Sequence, residues 1–317
     1  MLPGSRNKKA AGHGLRPPWK ERTLRLRARL LGAVREFFTA RGYLEVETPI
    51  LVSAPVPEPH IEFIETSLGV LQPSPEVYMK RLLSAGHPRI FQIARCFRDH
   101  ERGDRHLPEF TLLEWYRAGT DYWGLMEECE DLVRTVAGRL GVGPALTYLG
   151  KAVNLEPPWR RMTVAGAFDR YAPMSLEEAL SSGRFDELLV AHVEPGLGMS
   201  GPVFLHDYPA SMASLSRLRA HDPGVCERVE LYMGGMEIAN GFSELTDPSE
   251  QFRRFQRDVE ERNRLGRKAF RIPEAFLDAV KHMPAAAGMA LGIDRLVMVL
   301  ADCRRIDDVV AFTPEDG

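Results

Sequence analysis

Two strand-like stretches around a charged loop, within residues 89–117, constrain the fold of this chain more than any other part of its sequence. The first stretch, residues 90–97, is mainly apolar, and the second, residues 109–117, alternates between two sets of side chains. The loop between them consists almost entirely of charged or ionisable residues. This pattern is typical of an antiparallel β-hairpin whose turn is exposed to water.

The second stretch also predicts a binding surface. Residues two positions apart share a face of a strand, so Phe110, Leu112, Glu114 and Tyr116 are predicted to lie in a row. Arg98 follows the first strand and can reach over the same surface. An arginine can bind phosphate, and an aromatic face and a carboxylate can bind a base and an amine, so the row predicts a site for a nucleotide and a cation. A hairpin with a solvated, salt-bridged turn would show the same spacing.

A second candidate segment, residues 236–246, contains two glutamates seven positions apart, Glu237 and Glu244. An unbroken strand would place them on opposite faces. Asn240 followed by glycine is a turn or bulge signal that could bring the two carboxylates together. Converging carboxylates suit Mg²⁺ bridged to nucleotide phosphates, or an ammonium group of a ligand, although exposed acids on a hairpin would look the same.

A third segment, residues 288–298, is a glycine-punctuated strand that runs into an apolar helix. Gly292 allows close approach of a ligand to the backbone, and Arg295 lies at the helix start, where a phosphate is favoured. The sequence has no G-x-x-x-x-G-K-[ST] loop, so an ATP site in this chain would not be of the P-loop type.

Composition favours a cytoplasmic protein and argues against several other classes. The net charge of −3 argues against a surface that coats nucleic acid. The four cysteines lie far apart without a C-x-x-C pair, which suits reduced thiols and no zinc site. No apolar run has membrane-spanning length, and the N-terminus lacks the apolar core of a signal peptide, so we expect no membrane partner.

Taken together, these segments resemble the class II aminoacyl-tRNA synthetases. Residues 97–110, with F-R-D-H-E followed by H-x-x-x-F, resemble the second motif of that family, and residues 292–295 resemble the third motif, G-x-D-R. A helix followed by R-G-Y-L-E-V-E-T-P resembles the first motif, which builds the dimer interface in the family. The strings P-E-F-T-L-L-E-W-Y, S-P-E-V-Y-M-K-R-L-L and E-I-A-N-G-F-S-E-L are similar to the lysyl branch and its short paralogues, which modify elongation factor P.

The resemblance implies an α+β fold, the class II synthetase catalytic fold with a mostly antiparallel sheet flanked by helices, in a homodimer. That domain is expected over residues 21–317, after a disordered basic tail at residues 1–20. Arg98 and Arg295 are the expected catalytic cations, and Glu237 and Glu244 the expected Mg²⁺ ligands. The implied amino-acid site is Ser74, Pro75, Glu76, Glu114, Tyr116, Asn240, Glu244 and Ala290. The implied ATP site is Arg98, Asp99, His100, Glu101, Leu107, Phe110, Glu237, Ile238, Gly292 and Arg295.

Three positions depart from the pattern of the synthetases. His100 stands where many members place the glutamate that reads adenine, and Glu101 is expected to substitute for it. Leu107 replaces the asparagine of the usual H-N-P-E-F string. Ala290 stands where the lysyl-tRNA synthetases have glycine, and the resemblance to the short paralogues implies that its methyl group favours (R)-β-lysine over α-lysine.

The implied activity is ATP-dependent activation of (R)-β-lysine, or lysine, as an aminoacyl-adenylate, followed by transfer to a lysine side chain of elongation factor P. Only some twenty residues precede the first motif, too few for an anticodon-binding domain, so tRNA is not the expected acceptor. Three alternatives remain: a compact synthetase that charges tRNA, a ligase acting on a small amine, and a non-catalytic paralogue that senses a lysine-like ligand. The intact Arg98, Glu237, Glu244 and Arg295 argue against the last.

Overall fold

A computed structural model describes residues 18–316, with side chains from Lys20 onward. Within these residues the strands are β1 (Leu44–Glu45), β2 (Leu51–Val52), β3 (Glu65–Thr66), β4 (Gly69–Leu71), β5 (Arg89–Phe97), β6 (Glu109–Ala118), β7 (Ala145–Tyr148), β8 (Lys151–Asn154), β9 (Arg160–Thr163), β10 (Val203–Pro209), β11 (Leu218–Arg219), β12 (Asp222–Met233), β13 (Met236–Ser243) and β14 (Ala286–Gly292). The helices are α1 (Pro18–Ala40), α2 (Glu76–Ser84), α3 (Tyr122–Arg139), α4 (Val164–Tyr171), α5 (Leu176–Ser181), α6 (Phe185–Leu188), α7 (Pro248–Arg264), α8 (Glu274–Val280) and α9 (Ile293–Leu300).

A large sheet, nine-stranded within the described residues, organises the fold. Its order is β1-β5-β6-β14-β13-β12-β10-β9, and β11 pairs with β12. The β1–β5 and β10–β9 pairs are parallel, and the other pairs are antiparallel. The α+β class with a mostly antiparallel sheet is therefore confirmed. The predicted hairpin is β5–β6, paired without a break from Arg89 opposite Arg117 to Phe97 opposite Glu109.

One face of the sheet packs against the hydrophobic core and the other faces a cavity. Successive residues of a strand point to opposite faces, so each residue belongs to one of the two. Leu113 and Trp115 of β6 are fully buried in the main hydrophobic core, which α1, α3 and α9 form against one face. The intervening residues of β6 face the other side, where α2 and α8 pack against each other. Strand β6 thus supplies both a wall of the core and a wall of the cavity described below.

Helix α1 begins at Pro18, so the last three residues of the expected tail are helical. Residues 1–17 of that expected tail lie outside the described part of the chain. The helix stops before Gly42, which has φ +74, and α3 begins after Asp121, whose carboxylate accepts the N–H groups of Trp123 and Gly124. No helix between residues 18 and 316 is both long and apolar enough to cross a lipid bilayer.

Helix α1 is tied to the sheet by a buried ion pair. Arg27 contacts the carboxylate of Asp294, which is 2% exposed, and also donates to the Thr111 hydroxyl at 2.7 Å. The other oxygen of Asp294 accepts the Thr111 N–H at 2.7 Å. Asp294 therefore fixes the start of α9, and with it the neighbouring Arg295, against β6.

Candidate active site

A cavity of about 750 Å³ lies over the face of the sheet formed by β6, β13 and β14. Phe110, Leu112, Glu114 and Tyr116 all line it, which confirms the row predicted from the alternation of β6. Its walls differ in chemistry from one end to the other. One end is a cluster of buried carboxylates, and the other carries arginines beside an aromatic ring.

The first end contains three carboxylates around one ammonium group. Lys80 of α2 is 1% exposed and forms ion pairs with Glu76, at 2.5 Å, and with Glu244. Glu114 accepts hydrogen bonds from the Ser74 hydroxyl at 2.5 Å and from the Tyr116 hydroxyl at 2.9 Å. With all groups ionised, three negative charges would face a single positive charge.

Burial raises the pKa values of two carboxyl groups in this cluster, Glu114 and Glu244. Glu114 has its pKa raised to about 7, first by burial and then by the charge of Glu76. Glu244 has its pKa raised to about 8, again mainly by burial, with Lys80 acting in the opposite direction. Burial alone would lower the pKa of Lys80, but Glu244 and Glu76 raise it above its ordinary value. Lys80 is therefore charged, and its single charge does not hold the pKa values of Glu114 and Glu244 at their ordinary level.

Gly288 of β14 makes this arrangement sterically feasible. A Cβ at this position would lie 2.2 Å from the Tyr116 ring and 2.8 Å from Glu244 Oε1. Both side chains therefore pack directly against the glycine backbone. Two positions on, Ala290 carries a methyl group that lines the cavity, opposite Glu114 and Asn240 in the sheet register.

The second end of the cavity presents guanidinium groups. Arg98 lies over the Phe110 ring at 5.1 Å and pairs with Glu101 at 3.6 Å, and its buried Nε has no hydrogen-bond partner among the described residues. Arg295 donates to the Glu237 main-chain oxygen at 2.9 Å and to the Glu237 carboxylate at 3.2 Å. Two arginines beside an aromatic face suit a nucleotide phosphate and base.

His106 also lines this end of the active-site cavity, where it contacts Arg295. The two side chains meet at 2.6 Å between Arg295 Nη2 and His106 Nε2. Burial and the charge of Arg295 lower the pKa of His106. The imidazole is therefore neutral near pH 7, and its Nε2 accepts the hydrogen bond from the guanidinium.

The chain is similar to known proteins over almost its whole length. The family model of class II tRNA synthetases (D, K and N) matches residues 9–316. The chain belongs to this class II synthetase family. A protein of Mannheimia succiniciproducens, named elongation factor P–(R)-β-lysine ligase, is 41% identical over 92% of this chain and 94% of its own. Proteins of the same name from Hamiltonella defensa and Avibacterium paragallinarum are 40% and 37% identical, over 91% and 96% of this chain and 94% and 99% of theirs.

Most of the residues expected from resemblance to the synthetases lie on this cavity. The lining includes Ser74, Glu76, Arg98, Glu101, Leu107, Phe110, Glu114, Tyr116, Glu237, Ile238, Asn240, Ala290, Gly292 and Arg295. Pro75, Asp99, His100 and Glu244 are not part of the lining. Glu244 is 1% exposed and lies beneath the cavity surface, paired with Lys80. The His100 side chain is 81% exposed and its φ is +60, which turns it away from the cavity, whereas Glu101 faces Arg98 inside it.

The structure does not bring Glu237 and Glu244 together as expected for a class II synthetase metal site. Glu244 lies in the carboxylate cluster against Lys80, while Glu237 lies at the opposite end against Arg295. The reason is their separation along the chain: seven residues of extended backbone span more than about 20 Å, and a bulge changes the face that a side chain occupies without closing that distance. Tyr232 pairs with Glu237 and Leu231 with Ala239, so the extra residue is Ile238 and not Asn240 or Gly241. The carboxylates that interact with Glu237 are Glu194 and Glu230: burial raises the pKa of each, and the charge of Glu237 raises it further, against the opposing effect of Arg228 in the case of Glu230.

Sequence reasoning missed two groups of residues that the synthetase fold brings to the site. Lys80 could have been noticed, because it lies four residues after Glu76 on a helix. Glu230 and Arg228 could not, since only the pairing of β12 with β13 brings them to the cavity. Glu230 accepts hydrogen bonds from Tyr208 at 2.5 Å, Tyr232 at 2.7 Å and Arg228 at 2.7 Å.

Proposed function

We propose that this chain is an ATP-dependent, AMP-forming ligase that activates (R)-β-lysine, or lysine, and transfers it to a lysine side chain of elongation factor P. Membership of the class II family supports the adenylation step, and the shared name of the relatives supports the acceptor. The observation that carries the choice of substrate is the charge of the buried cluster formed by Glu76, Lys80, Glu114 and Glu244.

The cluster is complementary to a molecule with two ammonium groups. Its three carboxylates exceed its single ammonium group by two negative charges when all are ionised. Lysine and β-lysine each carry two ammonium groups besides their carboxylate. Binding of such a dication would offset the burial of Glu114 and Glu244 and return their pKa values toward the ordinary range. A monoamino acid would leave one buried negative charge unbalanced.

The opposite end of the cavity supplies what adenylate formation requires. One carboxylate oxygen of the amino acid attacks the α-phosphorus of ATP, the bond to the bridging oxygen breaks, and pyrophosphate leaves. Negative charge grows on the phosphate oxygens in this step, and Arg98 and Arg295 are placed to neutralise it. The adenine would stack on Phe110, and Glu101 is the carboxylate available to contact its amino group.

Transfer needs no nucleophile from this chain. The ε-amine of the acceptor attacks the adenylate carbonyl, AMP leaves, and the amine loses a proton to give an amide. The adenylate is already an activated acyl group, so the cavity has to hold it and admit the amine. The unpartnered Oδ1 of Asn240 lies buried at the cavity between the two ends and is available to a bound ligand.

Mg²⁺ fits this site at Glu237 and less well at Glu244. Mg²⁺ in ATP sites takes most of its ligands from phosphate oxygens and water and only one or two from carboxylates. Glu237 lines the cavity with 36% of its side chain exposed, and Glu230 interacts with it electrostatically. Within the described residues there is no group of three or more acidic, histidine or cysteine side chains that could hold an ion alone. Glu237 with Glu230 would hold the ion, which would neutralise phosphate charge; Glu244 would join only by leaving Lys80.

We also propose a cytoplasmic homodimer. Leu44, Ile50 and Leu51, in and just after the segment that resembles the first class II motif, are 51%, 45% and 40% exposed. Apolar side chains grouped in this way favour burial against a second copy. The four cysteines are free, three of them buried, which suits a reducing compartment.

ATP–pyrophosphate exchange tests the first half of the proposal. Exchange should require Mg²⁺ and a diamino acid, and norleucine, which lacks the terminal ammonium group, should not support it. Binding of lysine without exchange would instead identify a sensor. Exchange supported equally by norleucine would contradict the charge argument.

A further inference from the structure

A second cavity, of about 380 Å³, lies beside the active-site cavity, and Arg105 contributes to the lining of both. Its walls come from the β7–β8 hairpin, from the Gly234-Gly235 turn between β12 and β13, and from residues 190–199. Lys151 and Arg105 give its rim a basic character. None of the adenylation chemistry above uses these walls. Three local features indicate that they form a binding surface.

The first feature is Leu149, in the turn of the β7–β8 hairpin. Leu149 has φ +49 and is followed by Gly150 at φ +78, and the leucine side chain is 47% exposed. A turn with two such residues favours Asn-Gly, and the left-handed backbone is unfavourable for leucine. Its N–H is fixed by the Asp302 carboxylate at 2.7 Å. An apolar residue is thus held on the cavity rim against both backbone preference and solvation.

The second feature is Val190, on the opposite side of the rim. It is 60% exposed, while its neighbour Leu189 and the following Val193 are buried. These residues form a π-helical turn, Leu189–Val193. Such turns are rare and occur frequently at functional sites. The turn directs Val190 outward to line the second cavity.

The third feature is the hydroxyl of Tyr148. The residue is 3% exposed, and its hydroxyl has no hydrogen-bond partner among the described residues. The Gly234 backbone lies flat on its ring, where a Cβ would come within 2.4 Å. Burial raises the pKa of this phenol, so it stays neutral and keeps its proton as a donor. An unpaired buried hydroxyl is unfavourable, and a ligand that accepts its hydrogen bond would remove this cost.

We propose that the second cavity binds the acceptor protein, at the segment that flanks the amine to be modified. This inference rests on the proposed function. Leu149 and Val190 fit an apolar side chain of that segment, and Tyr148 fits one of its carbonyl or carboxylate oxygens. Lys151 and Arg105 favour an acidic sequence. Because Arg105 borders both cavities, a chain lying here is adjacent to the active site.

A protein occupant is favoured over nucleic acid by the apolar rim. Binding of nucleic acid depends mainly on clustered basic groups that contact phosphates. Here Glu194 lines the same cavity as the two cations, and the rim also exposes the aliphatic side chains of Leu149 and Val190. Adenylate formation uses only small molecules, whereas transfer requires a macromolecule to be held. The surface should therefore affect transfer and leave adenylation unchanged.

Two variants test whether the second cavity binds the acceptor protein. Each should keep or raise the stability of the protein while lowering the rate of transfer. Leu149→Asn gives the turn its favoured Asn-Gly sequence, so its Tm should be unchanged or higher, yet kcat/KM for transfer to elongation factor P should fall about tenfold as apolar contact is lost. Tyr148→Phe removes a hydroxyl without a partner, so it should fold at least as stably, and transfer should fall about five- to tenfold. ATP–pyrophosphate exchange should remain unchanged in both. Leu68→Asn is the control, because Leu68 is 81% exposed in another hairpin turn and lines neither cavity.

The outcomes separate this inference from the proposed function. Unchanged transfer in both variants would overturn the inference alone. Equal loss of exchange and transfer would also overturn it, because the walls would then only support the active site. A shift in sedimentation with normal transfer would assign the surface to a second copy, and a selective loss of tRNA charging would assign it to nucleic acid. Exchange without any transfer by the unaltered enzyme would refute the proposed acceptor and this inference with it.

Discussion

Replacing Glu114 by glutamine should stabilise the unliganded protein at alkaline pH and weaken its binding of the amino acid. Glu114 is 1% exposed, and burial, followed by the charge of Glu76, raises its pKa from 4.5 to about 7. One pKa unit corresponds to about 1.4 kcal/mol, so the ionised side chain destabilises the native state by on the order of 3 kcal/mol. Glutamine keeps an oxygen for Ser74 and Tyr116 but cannot ionise.

The sign of the pH dependence follows from this raised pKa. The neutral carboxyl is favoured in the native state, so its contribution to stability is complete below about pH 4.5 and is lost as the pH rises to about 7. Glu114→Gln should therefore exceed the unaltered protein in unfolding free energy by about 2–3 kcal/mol near pH 8.5 and by less than about 1 kcal/mol near pH 5. Urea unfolding at the two pH values measures this difference. Glu109→Gln, at an exposed position on the same strand, should change stability little at either pH.

Function should change in the opposite direction. Glu114→Gln removes one of the carboxylates that balance the two ammonium groups. KM for the amino acid in the exchange assay should therefore rise, by a factor that corresponds to a loss of about 2 kcal/mol or more of binding free energy. In the unaltered enzyme, KM for the amino acid should fall as pH rises through 7 and 8, because Glu114 and Glu244 must lose protons to bind a dication. A variant with no extra stability near pH 8.5, or with an unchanged KM, would refute the charge-balance argument.

Three further predictions concern the active-site cavity and the exposed apolar residues Leu44 and Ile50. Arg295→Ala should reduce kcat/KM for exchange by about 2.7–4 kcal/mol of transition-state stabilisation, and activity like that of the unaltered enzyme would contradict its role. Ala290→Gly removes the methyl group opposite Glu114 and should raise kcat/KM for α-lysine relative to (R)-β-lysine, by about 10–200-fold at most; an unchanged ratio would place isomer selection elsewhere. Sedimentation at micromolar concentration should give a dimer, and Leu44→Asp with Ile50→Asp should give a monomer; a fully active monomer would count against the dimer.

The features that the sequence predicts correctly depend on short-range geometry. The row from Phe110 to Tyr116 follows from the two-residue period of one strand, and the structure confirms that all four residues line the cavity. The position of Arg295 depends on one strand-to-helix junction and is equally local. Such features do not require knowledge of which strands are neighbours.

The features that the sequence does not predict depend on pairing between distant segments. The extra residue Ile238, in the register between β12 and β13, places Glu237 on the same face as Glu230, whereas Glu244 remains seven residues away along the chain. The Asn-Gly pair had indicated a bulge a few residues too late. Similarly, Lys80 becomes a partner of Glu244 only because α2 packs against the sheet, and a helical pattern alone does not show how that face is buried.

The most direct test of the central claim is the fate of the activated amino acid. The enzyme, ATP, Mg²⁺ and labelled (R)-β-lysine would be incubated with elongation factor P and lysine tRNA together, and both acceptors would be analysed by mass spectrometry and for label. We predict that elongation factor P gains one lysyl group on a lysine side chain and that tRNA gains none. Efficient charging of tRNA with elongation factor P left unmodified would contradict the proposal.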